Sequence, residues 1–192
     1  MLSRIAAGAN ALLQGAGTVV GVRSGSEEPA FDLVERCRGL DIRRYGARLA
    51  AETEIAADET TSRSEGFSRL AAYIFGGNRG QARIAMTAPV AQEAAKAGHR
   101  IRFFMPASLR EPPLPKDPRV KLVEVPAETV AVLRYTGSTA PQAVADAMAR
   151  LRAALGDTNW QATGPATAWF YDPPWTIPAL RRNEVAVPVA RR

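Results

Sequence analysis

The chain has 192 residues, 46% of them hydrophobic and 23% charged, the balance of an ordinary globular protein of one large domain or two small ones. One cysteine, Cys37, excludes an intramolecular disulfide framework and a cysteine-rich zinc site, and one histidine, His99, excludes a multi-histidine metal site. The net charge is +6, but the arginines are scattered from Arg4 to Arg192 with no basic stripe interleaved with aromatics, so nucleic acid is not an expected partner.

Ile5 to Val22 carries no charge and is bracketed by Arg4 and Arg23. Three readings stay open for it. A secretory signal peptide suits Arg4 and the Ala/Gly-rich stretch, although Asn10 and Gln14 interrupt the apolar core. A membrane-spanning helix is opposed by four glycines and two amides. A helix packed on the domain or resting on a membrane surface suits Ile5, Leu12 and Val19, which partly share a face. Ser24 to Pro29 reads as a linker. Residues 1–28 are therefore an apolar segment with its linker, and 29–192 the folded domain. A cytoplasmic or membrane-associated location is expected over a secreted one, with peripheral membrane contact through residues 1–23.

Phe31 to Cys37 reads as a strand, Gly39 as a turn, and Leu40 to Ile55 as a second, alternating strand, the pair forming a hairpin. Ser62-Arg63-Ser64-Glu65 has the form of a capping box. Phe67, Leu70, Ala71 and Ile74 follow on one helical face, and Gly76-Gly77 stops the helix. Arg83 to Ala91 and Arg100 to Met105 are strands. Glu111 to Pro118 holds four prolines in eight residues and must be an extended connector. The order of elements then repeats: strands at Val120–Val125 and Thr129–Tyr135, a helix opened by Pro141 and closed by Gly156, and strands at Ala166–Tyr171 and Glu184–Val189. The second strand of each half carries an Arg-Tyr pair, Arg44-Tyr45 and Arg134-Tyr135. The sequence thus predicts an α+β fold of two duplicated ββαββ halves sharing one sheet or a distorted antiparallel β-barrel, flanked by two helices, with a ligand site between the halves.

Binding is better supported than catalysis, and no enzymatic activity is expected. There is no P-loop and no GxGxxG, and Gly76-Gly77-Asn78 is a helix stop rather than a phosphate cradle. Asp32, Glu35, Glu52 and Glu54 read as solvated strand charges, Cys37 as a small half-buried hydrophobe, and Tyr45, Tyr73, Tyr135 and Tyr171 as core-edge residues. His99 reads as an exposed turn histidine whose neutral imidazole is a weak candidate for a metal ligand. The face of Phe67, Leu70, Ala71 and Ile74 is either plain core or one wall of a pocket for a flat apolar ligand. In the second case Arg63 meets the ligand's carboxylate.

Tyr73-Ile74-Phe75-Gly76-Gly77-Asn78, Ile84-Ala85-Met86-Thr87-Ala88-Pro89-Val90, Pro112-Pro113, Tyr171-Asp172-Pro173-Pro174 and Arg181-Arg182-Asn183-Glu184-Val185 occur in the order and spacing of a known family. From about Phe31 to Val189 the chain resembles the SOUL family of haem-binding proteins. The resemblance implies a distorted β-barrel flanked by two helices, an architecture shared with gyrase-inhibitor-like and effector-binding domains. It implies binding of haem or a related tetrapyrrole without turnover, or of another apolar anionic small molecule. One family mode lays the porphyrin against the first helix, here along Phe67, Leu70, Ala71 and Ile74. A basic residue on that helix meets a propionate; Ser64 stands nearest the matching position, with Arg63 beside it. A lysine near the Asp-Pro-Pro segment is replaced by Trp175-Thr176-Ile177, which leaves Arg181 as the cationic partner. A second mode uses a histidine ligand nearer the N-terminus, where this chain has none; His99 falls in a loop between strands. The alternative function is a small-molecule effector-binding module of the gyrase-inhibitor-like type.

Overall fold

The computed structural model describes residues 26–192. In chain order its elements are β1 (Phe31–Cys37), β2 (Leu40–Tyr45), β3 (Arg48–Ile55), α1 (Glu59–Ile74), β4 (Val90–Ala94), β5 (His99–Phe104), β6 (Lys121–Val125), β7 (Glu128–Tyr135), α2 (Pro141–Gly156), β8 (Trp160–Ala162), β9 (Thr167–Phe170), a 3-10 turn at Pro178–Leu180, and β10 (Asn183–Arg191). The stretch from Ile5 to Val22, with its three readings, lies outside the described residues.

All strand pairs are antiparallel, in the order β1-β2-β7-β10-β9-β4-β5-β3-β6, with β8 appended to β10. Setting β1 and β8 aside, the order reads the same from either end when β2, β3, β4 and β5 are matched to β6, β7, β9 and β10. The duplication is thus an approximate two-fold of the sheet, with β4 and β9 pairing across its centre. The repeat unit begins at β2. The stretch Leu40 to Ile55, expected as one strand, breaks at Gly46-Ala47 because residues before the break pair with β7 and residues after it with β5 and β6. Arg134-Tyr135 therefore corresponds to Glu54-Ile55 and not to Arg44-Tyr45. The β1–β2 hairpin turns on Arg38 and Gly39, both at positive φ, the geometry that matches the twist of its strands.

The alternation of each strand gives the sheet two different faces. One face is covered by the helices. Val144, Ala147, Leu151 and Leu155 of α2 pack on Leu40, Ile42, Leu133, Val185 and Val187, while Leu70, Tyr73 and Ile74 of α1 pack on Ala51, Ile101 and Phe103. Among the described residues no helix covers the other face, yet Tyr45, Ala50, Phe104, Val130, Trp169 and Ala186 form a buried cluster there. The sheet therefore curls so that this face packs against itself. Its end strands, β1 and β6, are not paired with each other among the described residues.

At one end of the inner face lies a buried ionic group. Arg43 donates to both oxygens of Glu184 (2.8 and 3.2 Å), whose side chain is fully buried, and Tyr171 Oη and Arg182 Nε donate to the same carboxylate (2.8 and 3.0 Å). Burial alone raises the Glu184 carboxyl, but the hydrogen bonds and charge of Arg43 and Arg182 carry it below its ordinary value.

Helix α1 starts one turn earlier than the expected capping box. Asp58 is the cap: its Oδ1 accepts from the amides of Thr60 and Thr61, each at 3.0 Å. Ser62 is instead fully buried and donates to the carbonyls of Ile55 and Ala57. The helix ends as expected at Phe75, where the Gly77 amide donates to Ala72 O. The proline-rich connector docks on the loop that follows, through Arg79 N to Leu114 O and Lys116 N to Gly77 O. Residues 83–89, expected as the start of a strand, make only isolated bridges, and the β4 ladder begins after Pro89, which has no amide hydrogen to contribute.

Candidate ligand-binding site

On the helix-covered face, α1 lies over β3 and β5 and α2 over β7 and β10, while β4 and β9 run between them. Register places Tyr135 opposite Asn183, Asn183 opposite Phe170, and Phe170 opposite Val90, so these side chains form one row across the floor of the seam. Gln92 lies two residues beyond Val90 on the same face.

Helix α1 supplies the wall. Gly66 makes its close approach to β5 possible: a Cβ there would lie 2.4 Å from Ile101 Cγ1. One residue on, Phe67 packs edge-on against Phe103 with ring centroids 5.3 Å apart, and is still 42% exposed. One turn earlier, the Arg63 guanidinium lies 4.6 Å over the Phe170 ring. Glu59, a further turn back, accepts from Gln92 Nε2 through its backbone carbonyl at 2.7 Å.

Three buried polar atoms in this small region have no hydrogen-bond partner among the described residues: Arg63 Nη1, Tyr135 Oη and Gln92 Oε1. Tyr135 and Gln92 are themselves buried. Burial pulls the Arg63 guanidinium down from its ordinary value, against the pull of Glu59 and Tyr135. Burial pushes the Tyr135 hydroxyl up to about 12, with Arg63 opposing. Two donors, one of them cationic, thus sit beside an acceptor under an apolar shelf. A buried donor left unpaired costs about 1–3 kcal/mol, which an incoming acceptor recovers.

The expected site residues fall in different places. Arg63 and Phe67 both line the seam. Leu70 and Ile74 are fully buried core residues against β5, and Ala71 is half-buried beside them. Arg181 lies in the loop after Pro174, where it donates to Thr176 O (2.8 Å) and Pro174 O (2.5 Å). That loop is tied beside Tyr135 by a bond from Gly137 N to Pro178 O and carries exposed Trp175, Ile177 and Leu180. His99 opens β5, with Nδ1 3.4 Å from Ala57 O, and lies four residues, about 13 Å, along the strand from Phe103. Among the described residues no three His, Cys, Asp or Glu side chains gather as a metal site. Phe170, Gln92 and Tyr135 were not anticipated, because they come from three strands far apart in sequence that only the register brings together.

The profile of the SOUL heme-binding protein family matches residues 26–188. The chain belongs to this family. No curated protein matches it. Among solved structures, the C-terminal domain of EcmrR superposes with a TM-score of 0.61 at 13% identity, over 80% of this chain and 98% of that one. A protein from Listeria innocua described as a hydrolase gives 0.54 at 10% identity, over 82% and 94%. An uncharacterized conserved protein from the same organism gives 0.55 at 11%, over 80% and 93%. These likenesses are of fold: a large antiparallel sheet with two helices. SOUL membership supports a ligand-binding role for this chain.

Proposed function

We propose that the seam between α1 and α2 binds a flat apolar ligand bearing a carboxylate, haem or a related tetrapyrrole, and that the protein carries or buffers it without turnover. The observation that carries this reading is the pair of buried, unpartnered donors, Arg63 Nη1 and Tyr135 Oη, next to the Phe67–Phe103 pair and Phe170. An anionic oxygen satisfies both donors at once, and a charge-assisted bond to arginine is the stronger of the two. The aromatic row receives one face of the ring. Covering a few hundred Å² of that face contributes about 5–8 kcal/mol at roughly 25 cal/mol/Å² before association costs, which corresponds to binding no tighter than micromolar.

The residues of the seam suit a porphyrin's ring and propionate. Tyr135 is of a kind that ligates haem iron, but with its hydroxyl pushed up to about 12 it stays a neutral phenol, so the ring is held by its face and its acid. His99 stays too far along β5 to serve the Phe67 end. The test is a titration of haemin and of its dimethyl ester, whose carboxylates are masked, into wild type and Arg63→Met. Wild type is expected to prefer haemin about tenfold, and Arg63→Met to lose that preference. Equal binding of acid and ester by wild type overturns the role of the donors. Absence of any saturable absorbance change overturns the assignment of haem. The fold shared with the EcmrR domain supports the second reading, a small-molecule effector module. In that case a different amphipathic acid raises the melting temperature where haemin does not.

A further inference from the structure

The helix-free face carries a second constellation, separate from the seam. Tyr45, Phe104 and Trp169 are all buried there, and Tyr45 meets Trp169 edge-on at 5.8 Å. Arg48 projects into these rings. Its guanidinium carbon lies 4.3 Å from the Tyr45 centroid and 4.8 Å from that of Phe104. Glu128 pairs with its Nη2. Arg48 and Glu128 open β3 and β7, so the approximate two-fold sets opposite charges at equivalent positions and brings them together.

Arg48 is an unusual residue to find here. Its side chain is only 10% exposed and its Nε has no partner among the described residues. Desolvating a guanidinium costs several kcal/mol, and a solvated surface arginine avoids that cost. What offsets it is the site: ring faces carry negative electrostatic potential and attract organic cations, and a carboxylate fixes the charge at one end. The side chain fills its cage: between Arg48, the three rings, Glu28 and Tyr171 about 10 Å³ is left, room for a single water.

We propose that the interior of the curled sheet is a second ligand site, for a small planar organic monocation, and that Arg48 occupies it as a tethered ligand. Wild type is therefore closed to such a cation, and removing the Arg48 side chain opens the site. The cage lies on the opposite face from Arg63 and Phe67, so this inference stands whether or not haem binds the seam.

The probe is methylguanidinium chloride, with neutral, near-isosteric methylurea as its control, added to the full chain while the melting temperature is followed by circular dichroism. For Arg48→Ala, methylguanidinium is expected to raise the melting temperature saturably, by about 3–6 °C at roughly ten times its Kd. Methylurea has no such effect, and wild type does not distinguish the two. Adding Glu128→Gln to Arg48→Ala weakens the response about tenfold. Should Arg48→Ala not fold alone, methylguanidinium restores its native spectrum and methylurea does not. The proposal is overturned if, folded or unfolded, Arg48→Ala responds no more to methylguanidinium than to methylurea. It is also overturned if wild type responds as strongly as the variant.

Discussion

Replacing Gly66 by alanine probes how tightly α1 is pressed on the sheet. The new Cβ would lie 2.4 Å from Ile101 Cγ1 and 2.7 Å from its Cβ, against an ordinary carbon–carbon contact of about 3.5–4.0 Å. Ile101 is fully buried in the middle of β5, paired to both β3 and β4, so it has little room to give. Either the helix lifts by about 1 Å or the strand bends. Overpacking costs about 1–3 kcal/mol, and an overlap of about 1 Å or more against a buried strand belongs at the upper end, about 2–3 kcal/mol, while alanine in place of glycine in a helix interior returns about 1 kcal/mol. The net loss is about 1–2 kcal/mol, a fall in melting temperature of about 2–8 °C for a chain of this size. Because the same approach sets Arg63 over Phe170 and Phe67 against Phe103, haemin binding weakens in step. Thermal unfolding by circular dichroism measures the first effect and a Soret titration the second. Ile101→Ala removes Cγ1 and relieves part of the clash, so the double variant loses less than the sum of the singles. A melting temperature for Gly66→Ala equal to or above that of wild type refutes the close approach, and additive losses in the double variant locate the damage elsewhere.

Tyr135→Phe removes a buried hydroxyl that has no partner, so the ligand-free protein is expected to keep or gain up to about 1 kcal/mol of stability while haemin binds more weakly. A loss of stability without ligand would show that the hydroxyl is satisfied in the free protein. Glu184→Gln leaves the buried Arg43 with Asp41, 2.9 Å away, as its remaining carboxylate, a loss of about 1.5–3 kcal/mol and a fall of about 3–12 °C in melting temperature at pH 7. The folded-state carboxyl of Glu184 lies below its ordinary 4.5, so its contribution is present above that value and fades as pH falls through it and below. Melting curves between about pH 3 and 7 should show the gap between wild type and Glu184→Gln closing at the acid end. A gap of constant width contradicts this origin of the stability. Asn78 is fully buried and pins the loop after α1, donating to Tyr73 O and Ala82 O and accepting from Ala82 N. Asn78→Ala should therefore lower the melting temperature by about 4 °C or more, from the lost bonds and the carbonyls left unsatisfied, and no change would show that the loop is held by the proline-rich connector instead.

Much of the fold is written in local patterns. Helix α2 runs from Pro141 to Gly156 as its proline start and glycine end require, and its buried face is the periodic one. The second half was legible because its strands are separated by clear turn residues. The break at Gly46-Ala47 was not, because the alternation of apolar and polar residues runs through it. Tyr45 shares the odd parity of Leu49 and Ala51 yet faces the opposite side, since the turn resets the count. Helix α1 starts at Asp58, one turn before the Ser62 and Glu65 pattern that marked its start in the sequence, because Ser62 serves the core instead. β8 is three residues long with only Trp160 buried, too short to carry a pattern.

The site divides in the same way. Arg63 and Phe67 stand one turn apart on a single helix, so spacing alone puts them together. Leu70 and Ile74 continue that spacing but are fully buried against Ile101 and Phe103. The remaining members of the seam, and the cage around Arg48, depend on strand register between residues separated by much of the chain, which no local pattern encodes.

The most direct measurement is a haemin titration at the Soret band on wild type, Phe67→Asp and His99→Ala. Phe67 is exposed enough that the aspartate leaves the fold intact while placing a repelling charge on the ring shelf. A saturable one-to-one change, weakened about tenfold or more (about 1.4 kcal/mol) by Phe67→Asp and unchanged by His99→Ala, is the predicted result. Binding abolished by His99→Ala and indifferent to Phe67→Asp would move the ligand to the start of β5 and contradict the seam.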